Sequence, residues 1–223
     1  RGRPTVVAAG GRGLATATGD LLFSRAFSEL AAGGSPASVR VLSAATSELA
    51  LGELMQREDA WNVDVTVKRY LERCRLKTAV LFRAACMLGA IEGRSGTTEA
   101  LGVFGEQIGL AFQVLDDVLD ISGPPERTGK PRGTDLLDGT VTLPLIIARG
   151  REPSLAGLEL RGVRTAGEAA ELCDRITDTG ALSAARDRAL QLVSGAKSAL
   201  PALGERQRVA LELVADGVVE RYS

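Results

Sequence analysis

"GLAFQVLDDVLDISG" spans Gly109–Gly123 and sets three aspartates into an otherwise apolar run. Phe112, Val114, Leu115, Val118, Leu119 and Ile121 make it apolar on most sides, as a helix inside a core requires. Gln113, Asp116, Asp117 and Asp120 fall at i, i+3, i+4 and i+7, so one narrow face carries all the polarity. A surface helix has a broad polar face of mixed charge; this strip is narrow and purely acidic. Two carboxylates 4 Å apart repel by about 4 kcal/mol at an effective dielectric of 20. Such a strip must therefore hold protons or face a cation. Hard divalent cations such as Mg²⁺ suit oxygen-rich sites and bridge one or two carboxylates to phosphates. The competing reading is a solvated acidic face. The C-terminal end of a helix, where the dipole disfavours negative charge, is a poor place for one.

Working outward, Thr97-Thr98-Glu99 reads as the entry to this helix, which continues to about Ile121. Gly102, Gly105 and Gly109 recur within it every three or four residues. Each glycine costs a helix ~1 kcal/mol relative to alanine, so the run predicts close approach of a second backbone. Upstream, a helix is predicted from Val65 to Glu92, starting near Asp64. Ser35-Pro36 reads as an N-cap followed by proline at the first helical position, opening a helix to about Arg57. "LATATGDLLFSRAFSELAA" places Leu22, Phe23, Ala26, Phe27 and Leu30 on one side of an earlier helix. Downstream, "SGPPERTGKPRGTDLLDGT" is a Gly/Pro-rich loop, and "VTLPLIIARG" resumes a short helix. Three further amphipathic helices are predicted between about Thr165 and Tyr222. No alternating run suggests a strand, so residues 1–223 are expected to form one all-α domain.

The bulk properties exclude several classes of function. A net charge of -1 without a Lys/Arg block argues against nucleic acid and anionic membrane as partners. Apolar runs such as "TAVLFRAACMLGAI" are broken by Arg83, so no transmembrane span is expected. The absence of histidine removes Ser-His-Asp and Cys-His catalysis and every histidine-based metal site. No Gly-rich nucleotide loop occurs. Three cysteines, Cys74, Cys86 and Cys173, at spacings unsuited to zinc point to a reduced, cytoplasmic setting; Cys74 and Cys86 read as small buried hydrophobes. Cations are more telling. Among 27 basic residues the lysines are Lys68, Lys77, Lys130 and Lys197. Lys77 opens a long apolar helical run, and Lys130 lies in the loop beyond Asp120. A compact ammonium suits phosphate oxygens. Taken with the acidic strip, these two lysines suggest a Mg²⁺-diphosphate site, whereas either alone reads as a solvated surface charge.

Residues 109–145, "GLAFQVLDDVLDISGPPERTGKPRGTDLLDGTVTLPL", resemble the second aspartate-rich region of the trans-isoprenyl diphosphate synthases, the polyprenyl synthetases. The order FQ, DDxxD, GK, GxDL and TLP is present in full. "KTA" at Lys77–Ala79, "GELMQ" at Gly52–Gln56, "GDLLFSRAF" from Gly19 and "RGRPTV" at the start resemble preceding segments of that family. The resemblance implies an isoprenoid-synthase-type helical bundle around a central cavity. It further implies head-to-tail condensation of an allylic prenyl diphosphate with isopentenyl diphosphate. Asp116 would be the prime Mg²⁺ ligand, with Asp117 and Asp120 as direct or water-mediated partners. Lys77 and Lys130 would hold the allylic diphosphate, Gln113 and Thr78 would face the carbocation, and Arg1 would bind isopentenyl diphosphate. Asp135 would order waters or Lys130, or else cap the helix after it. Phe23 and Phe27 read as core or as floor of a product cavity, Gln56 as cavity lining, and Glu53 as a surface charge. A homodimer is implied.

The family's first DDxxD motif precedes the position matched by Arg1, so the chain is expected to be an N-terminally truncated form. One Mg²⁺ is expected from the motif present, up to three with both, and the 223-residue chain is not expected to turn over alone. "GELMQ" leans toward a medium- or long-chain product. Two alternatives remain open: a non-catalytic subunit of a heteromeric synthase, and a terpene-cyclase-like diphosphate lyase.

Overall fold

The computed structural model describes residues 3–33, 35–94, 96–124, 129 and 131–220. Arg1 and Lys130 lie outside the described residues. Helices follow one another along the chain: α1 (Val6–Gly33), α2 (Pro36–Asp59), α3 (Val67–Cys74), a π-helical turn (Arg75–Ala79), α4 (Val80–Glu92) and α5 (Thr98–Ser122). Then come α6 (Thr134–Leu137), α7 (Leu143–Arg151), α8 (Ala166–Asp178), α9 (Ala181–Ser198) and α10 (Glu205–Glu220). Among the described residues no strand occurs.

The quoted stretch forms the second half of α5, and α5 runs through the middle of the bundle. Phe104, Ile108, Ala111, Val114, Leu115, Val118 and Ile121 bury one side of it in a core shared with Ala181, Ala185, Ala189 and Val193 of α9. Its other side meets the π-helical turn and α4, and here the glycine spacing takes effect. A Cβ on Gly105 would lie 2.5 Å from the Phe82 carbonyl oxygen, and one on Gly109 2.6 Å from the Ala79 Cα. The two helices approach backbone to backbone, and Phe82 packs on Phe112 with ring centroids 5.4 Å apart.

Several boundaries depart from the sequence reading for local reasons. The helix predicted from Val65 starts at Val67, because the Thr66 hydroxyl caps it by accepting the Arg69 N–H at 3.2 Å. It also changes pitch at Arg75–Ala79, a π-helical turn of the kind that often marks functional positions. α2 crosses closely at this turn, since a Cβ on Gly52 would sit 2.7 Å from the Lys77 backbone nitrogen. The Gly/Pro loop contains the single-turn helix α6. Gly133 stands before it with φ +71°, where an added Cβ would also lie 2.9 Å from Cys173 Sγ. Gly133 is thus the residue capping α6, and the reading of Asp135 as an N-cap is corrected: it sits inside the first turn. α1 contributes no buried residue. Leu22 is 64% exposed and Phe23 47%, so Phe23 belongs neither to the core nor to a closed cavity floor. Phe27 is half-buried.

The Gly105 contact makes a stability prediction. Gly105→Ala forces a methyl against a carbonyl and is expected to lower the unfolding free energy by about 1–3 kcal/mol. Gly89 of α4 has nothing within 4 Å of an added Cβ, so Gly89→Ala is expected to raise it by up to ~1 kcal/mol. Urea denaturation of the two variants checks the contrast in sign.

Candidate active site

A cavity of about 280 Å³ opens where α5, α3 and the π-helical turn face the segment around Asp135–Thr142. Lys77, Thr78, Gln113, Asp116 and Asp117 all line it, so five of the sequence-predicted positions come together. Asp135 lines it as well. Asp120 is 2% exposed and lies one turn further along α5, where it accepts the Asp135 backbone N–H at 3.1 Å. That hydrogen bond ties the start of α6 to the acidic strip.

The wall is wired by directed hydrogen bonds. The Thr78 hydroxyl donates to Gln113 Oε1 at 2.7 Å, and Gln113 Nε2 donates to Asp117 Oδ1 at 2.8 Å. The Tyr70 hydroxyl donates to Asp117 Oδ2 at 2.6 Å. Asp117 is 3% exposed. Burial pushes its carboxyl well above the usual carboxylate range, against the pull of Tyr70 and Gln113, and the Asp116 charge adds to the rise. Asp116, half-buried, lines the cavity beside it.

Lys77 stands opposite on the π-helical turn. Its ammonium donates to Gln56 Oε1 at 2.9 Å and pairs with Glu53 at 3.3 Å. Gln56 therefore lines the cavity as expected, and Glu53 is a surface charge that also neutralises Lys77. Cys74 borders the cavity and is buried, whereas Cys86 is half-buried; all three cysteines are free thiols.

The sequence reading missed the support behind this wall. Arg73 is buried and pairs with Asp59 at 3.2 Å, itself the last residue of α2. Arg73 also donates through Nη2 to the Val141 carbonyl and lies 5.7 Å over the Tyr70 ring. One guanidinium thus fixes α2, α3 and the strip carrying Thr140 and Thr142. Removing one partner of such a buried pair commonly costs 3–5 kcal/mol, as a general magnitude. The partners of Tyr70 and Arg73 lie 47 and 68 residues along the chain, so helical spacing carried no signal for either contact.

Among the described residues no group of three or more carboxylates and thiols converges as a ready-made metal cage. The donor set instead fits an ion that takes few protein ligands. Mg²⁺ characteristically keeps several waters and accepts one or two carboxylates, with substrate phosphates completing its sphere. Asp116, beside an ionisable neighbour whose proton affinity is raised by burial, presents that chemistry to the cavity.

Asp117 makes a pH prediction. A carboxyl that holds its proton more tightly folded than unfolded destabilises the fold once pH exceeds its unfolded value, and does nothing well below it. Asp117→Asn removes that cost. In metal-free protein, the melting temperature of Asp117→Asn minus that of the parent is expected to be more positive at pH 8 than at pH 4. A difference that is flat with pH, or reversed, contradicts the raised value.

Comparison with known proteins identifies one family and its fold. The polyprenyl synthetase family description matches residues 1–170. Component 2 of the heptaprenyl diphosphate synthase of Geobacillus stearothermophilus is 37% identical over 205 residues, covering 87% of this chain and 64% of that protein. The chain thus spans somewhat under two thirds of that relative. The solved decaprenyl diphosphate synthase of Rhodobacter capsulatus superposes with a TM-score of 0.88 at 33% identity, over 100% of this chain and 71% of the other. The polyprenyl synthase of Caulobacter crescentus CB15, solved with calcium and isoprenyl diphosphate, gives 0.88 at 34% identity, over 96% and 67%. With its all-helical bundle and most of its length matched, the chain belongs to the polyprenyl synthetase family.

Proposed function

We propose that this chain carries the diphosphate-ionising part of a head-to-tail trans-prenyltransferase, which extends an allylic prenyl diphosphate with isopentenyl diphosphate. The observation that supports it best is the placement of Lys77, Gln113, Asp116 and Asp117 around one cavity. The calcium and isoprenyl diphosphate of the Caulobacter relative support the same choice of ligand.

In this reading the allylic C–O bond breaks heterolytically and its electron pair leaves with the diphosphate. The isopentenyl double bond attacks the allylic carbon, and loss of a proton restores an alkene. The barrier is charge separation, so preorganised electrostatics carry the catalysis. Bound Mg²⁺ would neutralise the departing diphosphate. Asp116 is its prime protein ligand, with Asp117 and Asp120 as direct or water-mediated partners. Lys77 holds the diphosphate as it departs, exchanging Gln56 and Glu53 for phosphate oxygens. Thr78 and Gln113 turn oxygen toward the positive carbon. Lys130 and Arg1 keep the diphosphate-binding roles that the resemblance implies. Asp135 supports the strip through its backbone bond to Asp120. A homodimer belongs to the same reading, with the exposed Leu22–Phe23 side of α1 as the surface a partner would cover. Among the described residues no helix is long and apolar enough to cross a membrane; a cytoplasmic site of action is proposed from the three free cysteines.

A second reading, a subunit of a two-component synthase, is favoured by the "component 2" in the names of two relatives. The full-length protein incubated with labelled isopentenyl diphosphate, farnesyl diphosphate and Mg²⁺ separates the readings. Elongated diphosphates support the synthase, hydrocarbons a cyclase, and no turnover without an added partner the subunit. In the first case Asp116→Ala is expected to abolish turnover with circular dichroism unchanged; retained activity would sink the assignment.

A further inference from the structure

Behind the cavity runs a chain of three hydrogen bonds, and its direction has a chemical consequence. Tyr70, which is 0% exposed, and Gln113 each donate to a different oxygen of Asp117. Because the Gln113 NH₂ group points at Asp117, its oxygen points at Thr78, and the Thr78 hydroxyl spends its single proton on that oxygen. Thr78 is left with lone pairs rather than a proton to offer the cavity it lines. The opposite polarity is available to the same atoms. The terminal amide torsion of glutamine is close to two-fold, and a flipped Gln113 would donate to Thr78 and turn the Thr78 proton into the cavity.

We propose that Tyr70 is a positioning residue that locks this polarity and so keeps the Thr78 wall attractive to positive charge. The phenol engages the Asp117 oxygen on the side away from Gln113. With Asp117 ionised both of its oxygens accept, one from the phenol and one from the Gln113 amide, and a flipped amide would set oxygen against oxygen. Arg73, lying over the Tyr70 ring and paired with Asp59, fixes the ring itself. Without the hydroxyl, Asp117 keeps an unmatched buried oxygen and turns toward other donors, which releases the amide. The inference rests on the diphosphate reading above, because a cationic ligand centre gives the polarity its use.

The test compares two probes on the full-length protein with Mg²⁺ present: a saturated alkyl diphosphate, and its equal-length analogue with an ammonium nitrogen near the diphosphate. The parent protein is expected to prefer the ammonium probe at least tenfold. Tyr70→Phe is expected to bind the neutral probe within about threefold of the parent while the preference falls below threefold. Thr78→Ser, which keeps a hydroxyl, should retain the preference; Thr78→Val should lose it, and adding Tyr70→Phe to Thr78→Val should change nothing more. The proposal is overturned if Tyr70→Phe keeps the preference, if both affinities fall together, or if the parent protein has none. Failure of the parent to bind either probe would overturn the diphosphate reading instead, and this inference with it.

Discussion

Two adjacent carboxylates on a helix packed on most sides have to be reconciled with their surroundings, and most of the architecture around the cavity follows from that requirement. Asp117 is met by a phenol and an amide, and Asp120 by a backbone N–H from the start of α6. Asp116 lines the cavity beside them. Like charges this close in a medium of reduced dielectric repel by several kcal/mol. The donors that offset this therefore tie α3 and the start of α6 to α5.

Placing those donors sets demands elsewhere. Tyr70 reaches Asp117 because α3 enters beside α5, and α3 is held there by the Arg73–Asp59 pair. The π-helical turn then shifts the following residues, so that Lys77 and Thr78 both line the cavity while Val80 and Ala84 pack against α2. Gly52, Gly105 and Gly109 let the neighbouring backbones close on one another at the same level. At the far end, Gly133 adopts a backbone conformation that few side-chain-bearing residues tolerate, and it directs the Asp135 N–H at Asp120. Packing and chemistry share the same residues here.

The sequence disclosed the parts of this arrangement that repeat along a helix. The strip on α5, the glycine run and the proline-opened α2 were all legible, because helical spacing alone puts their residues on one face. The π-helical turn was not, since a change of pitch leaves apolar spacing nearly unaltered over so short a segment. Tyr70 and Arg73 were hidden for another reason: their partners Asp117 and Val141 lie 47 and 68 residues away, and no local pattern announces such a contact. The apolar side of α1 was legible as a pattern, but Leu22 and Phe23 on it are exposed while Phe27 is half-buried. Amphipathicity says that a face seeks cover, not that this chain supplies it. The roles of Lys77 and Asp116 came from family resemblance, and the geometry gives them a common cavity.

The central claim is that this cavity receives a diphosphate through a divalent cation, with acid on one side and ammonium on the other. Isothermal titration of the full-length protein with inorganic diphosphate tests it without requiring turnover. The account predicts binding that appears with Mg²⁺, vanishes with chelator, and is lost in both Asp116→Ala and Lys77→Ala. Diphosphate bound equally well without Mg²⁺, or undiminished in both variants, would contradict it.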